Sequence, residues 1–199
     1  MTSLFSTSTK SLPVEKRKVA TLAAESTASE ITKFTETAST RTFVDLGLIE
    51  WVNSACRAMS FRKPTPIQQA CIPAILEGRN VMGCAETGSG KTAAFALPIL
   101  QHLSEDPYGV FAVILTPTRE LAVQIEEQVN ALGSQISVRT CLIIGGMGII
   151  DQATALSKRP HIVIATPGRL RHHIESASPP KLDKVRYLVL DEGDRLMSA

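Results

Sequence analysis

Residues 81–92 read VMGCAETGSGKT: a short apolar run, a loop in which Gly88 and Gly90 alternate with small polar residues, then Lys91 and Thr92. Glycines at that spacing let consecutive backbone N–H groups turn toward one point at the start of a helix, where the helix dipole also favours an anion. A lysine and a hydroxyl directly after them offer a cation for terminal phosphates and a ligand for hydrated Mg²⁺. The pattern is a phosphate loop running through Ala85, Glu86, Thr87, Gly88, Ser89, Gly90, Lys91 and Thr92, with Ala85 where glycine usually opens it. A glycine turn with a chance lysine does not account for the strand before, the helix after and the intact Gly-Lys-Thr.

A phosphate loop needs a sheet to stand on, and the flanking sequence supplies one. Apolar runs of buried-strand type recur at 111–116 (FAVILT), 140–144 (TCLII), 161–166 (HIVIAT) and 187–191 (YLVLD). Near-continuous apolar strands are what a sheet covered on both faces requires. Helix signals lie between them: Leu48, Trp51, Val52, Ala55 and Met59 at three- to four-residue spacing, and Leu121, Ile125 and Val129 within 118–132, stopped by Gly133. Thr65 caps a further helix, with Pro66 at its first position and Gly78 beyond its end. The expectation is an α/β phosphate-loop fold, a parallel sheet with helices on both faces, over 43–199.

Residues 1–42 differ in kind. They are rich in Ser and Thr and poor in bulky apolar side chains, so they are expected to form a disordered tail. Within it Lys16, Arg17 and Lys18 are at most a contribution to nuclear import. The formal charge of +2 argues against an extreme polyanion binder and leaves a locally basic face open. The four cysteines, Cys56, Cys71, Cys84 and Cys141, lack zinc-ligand spacing and read as buried reduced thiols. No apolar run approaches the roughly 20 residues that span a bilayer, so no membrane partner and an intracellular compartment are expected.

The second acidic half of a phosphate-loop site should follow another strand, and Asp191 follows Tyr187, Leu188, Val189 and Leu190. In that reading Asp191 and Thr92 hold Mg²⁺, mainly through water, while Glu192 orients or deprotonates the attacking water. Alone, Asp-Glu after a strand is often an exposed turn; its pairing with Lys91 makes the three residues a candidate catalytic set.

These motifs resemble those of the DEAD-box ATP-dependent RNA helicases, over nearly all of 43–197. FRKPTPIQ at 61–68 is similar to the family's adenine-reading Q motif, placed here at 43–69. The resemblance implies that Gln68 bonds the adenine edge, with Phe43 and Phe61 near the base and ATP as cofactor. It further implies RNA contacts at Pro117, Thr118 and Arg119, at Gly145 and Gly146, and at Thr166, Pro167, Gly168 and Arg169. Thr118 and Thr166 are expected to cap helices whose N-termini face phosphates, and the arginines add charge, which suits grip on RNA by its backbone without choice of sequence. The resemblance also implies that Asp194 couples the site to unwinding, and that a second RecA-like lobe supplies arginine fingers and half of the RNA clamp. That lobe is expected as a partner of this chain, which otherwise reads as monomeric.

Three positions depart from the family: Glu86 in the loop, Ser60 where glycine is frequent, and Gly193 in place of alanine in the DEGD tetrad. The stretches IPAILEGRN, LPILQHLSEDPYG and RPHIVIATPGRL resemble a ribosome-biogenesis branch, implying rRNA processing in the nucleus and nucleolus, with cytoplasm as the second choice. Two other functions compete: a truncated, non-catalytic nucleotide- or RNA-binding module, and another phosphate-loop enzyme such as a nucleotide kinase or DNA translocase. His172 and His173 read as a solvated basic helix end rather than a metal site, and 176–184 as a connector.

Overall fold

The computed structural model describes Thr2–Thr9 and residues 41–198. Five strands follow the five apolar runs: β2 (Val81–Glu86), β3 (Ala112–Leu115), β4 (Thr140–Ile143), β5 (Ile162–Ala165) and β6 (Tyr187–Asp191). A sixth, β1 (Thr2–Thr9), lies in the stretch expected to be disordered. The sheet order is β2-β1-β6-β3-β5-β4. β3, β4, β5 and β6 pair in parallel, and β1 runs antiparallel to both its neighbours.

Residues 2–9, inside the stretch expected to form a tail, pair as a strand between two others. A Ser/Thr-rich segment cannot bury enough apolar surface to fold by itself, but a slot between two strands offers it hydrogen bonds along both edges. Thr2, Phe5, Thr7 and Thr9 are also strand-favouring types. Of the rest of the expected tail only Arg41 and Thr42 are described; Lys16, Arg17 and Lys18 lie outside the described residues.

Seven helices are described: α1 (Glu50–Ala58), α2 (Pro66–Leu76), α3 (Lys91–Glu105), α4 (Arg119–Leu132), α5 (Ile149–Ser157), α6 (Pro167–Ile174) and α7 (Gly193–Met197). Alternate residues of β3 divide the core. Ala112 and Ile114 join a large cluster with residues of α1 to α4, while Val113 joins Leu156 of α5 and Leu170 of α6 on the other face. Helices therefore cover both faces, as expected.

Local rules explain most boundaries. Thr118 caps α4 by accepting from Leu121 N–H at 3.3 Å, and Gly133 ends that helix. Thr166 holds the N-cap position of α6 before Pro167, but its side chain makes no cap bond, which corrects that part of the expectation. Cys56, Cys71 and Cys141 are buried and burial pushes their thiols up to about 11 or 12; Cys84 is exposed on β2, against expectation.

Candidate nucleotide site and phosphate groove

All five parallel-running strands end at one edge, and the predicted motifs lie in the loops that leave it. At β2 the chain turns through Gly88 (φ +82°) and Gly90 (φ +87°) into α3. Both angles lie in the left-handed region that favours glycine. At Gly90 space matters as well, because an added Cβ would lie 2.4 Å from Gln68 Nε2.

Lys91 is nearly buried, and its ammonium donates to the carbonyls of Ala85 at 2.9 Å and Glu86 at 2.6 Å. One of its three protons is left over. Ser89 Oγ is buried beside the loop without a hydrogen-bond partner. Glu86, the acidic departure, has an exposed side chain and Thr92 is half-buried. A loop with turned glycines, a held lysine and an orphaned hydroxyl fits a phosphate chain.

Asp191 ends β6 and is 7% exposed. Burial pushes its carboxyl up to about 6; the neighbouring Glu192 adds to the shift, while Lys91 and the Glu192 backbone N–H oppose it. The influence of Lys91 on Asp191 brings the two predicted halves of the site together. Glu192 stands at φ +51°, unusual for a side chain other than glycine, and its carboxylate accepts from Arg195 at 2.6 Å. Asp194 lies in the first turn of α7 with an exposed side chain.

The residues expected to read adenine are placed less simply. Gln68 is buried, accepts from Thr65 N–H at 3.0 Å and donates to the Gly90 carbonyl at 3.1 Å. A primary amide has two protons and two lone pairs, so one of each remains. Gln68 thus ties the start of α2 to the phosphate loop, a role the sequence reading missed although the Thr-x-x-Gln capping spacing signals half of it. Phe43 is 6% exposed within the main core, and Phe61 is half-buried at its margin. Ser60 has φ +60°, which accounts for glycine being frequent there.

Beside this site a groove of about 600 Å³ opens over β3, β4 and β5. Pro117, Thr118, Arg119, Gly145, Thr166, Gly168 and Arg169 line it, joined by Glu120 and His172. Seven of the nine residues expected to meet RNA thus line one groove; Gly146 and Pro167 are not among the lining residues. Arg119 lies so close to the glycines that a Cβ on Gly145 would sit 2.8 Å from its guanidinium nitrogen. Arg169 donates to the carbonyls of Ile144 at 3.1 Å and Met147 at 2.9 Å.

His173 corrects the solvated reading of the helix end. It is 3% exposed, with Nε2 at 3.1 Å from Gln152 Oε1, and burial lowers its pKa. His172 is exposed as expected.

Residues 65–199 match a family described as DEAD/DEAH box helicase. The chain is 57% identical over 155 residues to a human protein named probable ATP-dependent RNA helicase DDX49, covering 78% of this chain and 32% of that protein. It is 54% identical over 162 residues to the ATP-dependent rRNA helicase RRP3 of Pyricularia oryzae, covering 81% of this chain and 30% of the relative. A crystal structure of a DEAD box protein from the hyperthermophile Methanococcus jannaschii superposes with a TM-score of 0.71 at 38% identity, covering 79% of this chain and 43% of that one. The chain spans less than half the length of each of these proteins.

Proposed function

Because the chain belongs to the DEAD/DEAH box helicase family, we propose that it forms the ATP-binding lobe of an RNA-dependent ATPase that remodels RNA. The observation that carries the reading is the placement of Lys91 and Asp191 at one sheet edge with the arginine-lined groove beside them. Phosphoryl transfer asks the protein mainly to position groups and to stabilise charge, and this arrangement supports both tasks.

Bound Mg·ATP would supply the scissile phosphoanhydride and the metal that offsets its charge. The chain's own residues do the rest. Loop N–H groups from 85–92 hold phosphate oxygens, Lys91 exchanges its two carbonyl partners for terminal phosphates, and Ser89 Oγ gains a partner. Among the described residues no group of three or more His, Cys, Asp or Glu could hold a metal. A divalent ion would therefore rest on Asp191, Thr92, phosphate and water, the ordinary coordination of Mg²⁺.

Glu192 is the group to orient or deprotonate the attacking water, and the Arg195 ion pair holds its carboxylate in the meantime. Gln68 reads the adenine edge with its remaining proton and lone pair, Phe61 packs beside the base, and Phe43 supports from the core.

Arg119, Arg169 and the N-termini of α4 and α6 would grip successive phosphates of single-stranded RNA, without base choice. A second RecA-like lobe would provide arginine fingers and complete the clamp, with Asp194 coupling the lobes. The rRNA helicase among the relatives supports a place in ribosome biogenesis, hence nuclear and nucleolar work.

The test is competition of ATP and GTP for a fluorescent nucleotide, with and without oligouridylate. ATP is expected to bind at least about tenfold tighter, from hydrogen bonds only adenine can complete. Equal affinities would remove the adenine-reading role of Gln68.

A further inference from the structure

The glycine loop between β4 and α5 contributes Gly145 to the lining of the groove, and two side chains outside the family motifs hold the loop from behind. Gln152, in the first turn of α5, is 2% exposed. Its amide N–H reaches back to the Ile144 carbonyl at 2.7 Å, and its Oε1 faces His173 Nε2 on α6 at 3.1 Å. The same Ile144 carbonyl accepts from Arg169. A buried amide is costly unless its atoms find partners, and packing alone would be served by an apolar side chain, as Leu156 and Leu170 serve it nearby.

We propose that Gln152, with His173 behind it, is a positioning residue that fixes the Gly145–Gly146 loop against the N-terminus of α6 and so sets the width of the groove. The geometry leaves little slack. Arg119 lies against both glycines, and Arg169 ties Ile144 and Met147, so a displaced loop would carry both groove arginines with it. Gln152 touches no ligand itself; it keeps two phosphate-gripping cations at their separation. The proposal rests on the reading of the groove as an RNA-backbone site.

The test compares wild type with Gln152→Met, which keeps side-chain length and removes the amide, and with His173→Gln, which retains a donor near the Nε2 position. Three quantities are measured: the Kd for a fluorescein-labelled oligouridylate, the Kd for Mg·ATP, and amide hydrogen exchange over 144–148. Gln152→Met is expected to weaken oligouridylate binding about tenfold, to leave Mg·ATP binding unchanged and to speed exchange in the loop. His173→Gln should stay near wild type in all three.

Unchanged exchange over 144–148 in Gln152→Met overturns the proposal, as does faster exchange with unaltered oligouridylate affinity. Loss of both ligands together would mean a folding defect rather than positioning, and would also overturn it. Arg119→Ala, an exposed groove residue, separates the two layers. If it binds oligouridylate as wild type does, the reading of the groove fails, while loop exchange in Gln152→Met still decides whether the amide positions the loop.

Discussion

Asp191 ends a buried strand beside Glu192, and the cost of holding its charge there raises its carboxyl to about 6. A proton and a divalent ion compete for the same oxygens, so Mg·ATP affinity should fall by up to tenfold per pH unit as pH drops below about 6. A binding isotherm series from pH 5 to 8 checks this, with affinity flat above pH 7. The stability consequence has the opposite direction. A folded-state pKa above the unfolded value means that Asp191 contributes stability fully present below about 4 and lost as pH rises through about 6. At this scale the sequence was most informative about identity and least about engagement. Lys91, Asp191 and Glu192 could be put forward as candidates from spacing, whereas the two hydrogen bonds of Gln68, to Thr65 and Gly90, depend on how α2 meets the glycine loop. Nor could sequence show that the Glu86 side chain is exposed, which keeps a carboxylate out of the loop's centre.

The elements themselves were legible wherever burial wrote a continuous apolar run, so all five strands from Val81 onward and the helix from Arg119 to Leu132 follow the pattern. β1 escaped because a Ser/Thr-rich segment becomes a strand only where two neighbouring strands take up its backbone. Its backbone stands between β2 and β6, with Phe5 in register with Gly83 on one side and Asp191 on the other. Strands lie roughly 4.8 Å apart, so β1 sets a spacing of about 10 Å between the strand of the phosphate loop and the strand of the carboxylates. Deleting residues 1–10 is therefore expected to speed amide exchange in β2 and β6 while leaving β4 and β5 protected. Unchanged protection in β2 and β6 would remove β1 from the account. Capping makes a smaller contribution that can be measured separately: Thr118→Ala should cost about 1 kcal/mol in urea unfolding through loss of the bond to Leu121 N–H.

Across the whole molecule, one topological fact brings the functions together: the carboxyl ends of β2 to β6 lie at one edge, where loops are free to carry chemistry while the core below stays packed. The core also sets a pH limit. His102, His161 and His173 all have pKa values lowered chiefly by burial. A depressed folded-state value contributes stability present above the unfolded value of about 6.5 and lost as pH falls through the folded values. The urea midpoint should accordingly decline between pH 7.5 and 6, where these histidines dominate, and His173→Gln should flatten that slope. Sequence could not foresee this, because a histidine pair at a helix end reads as solvated until α5 is seen packed over one of the two rings.

The most direct test of the central claim is calorimetric titration of Mg·ATP into the wild-type chain and into Lys91→Ala, with circular dichroism showing that both are folded. The account predicts saturable one-site binding to the wild type and no measurable binding to the variant. Equal affinity in the two proteins would contradict the assignment of residues 85–92 as the phosphate site.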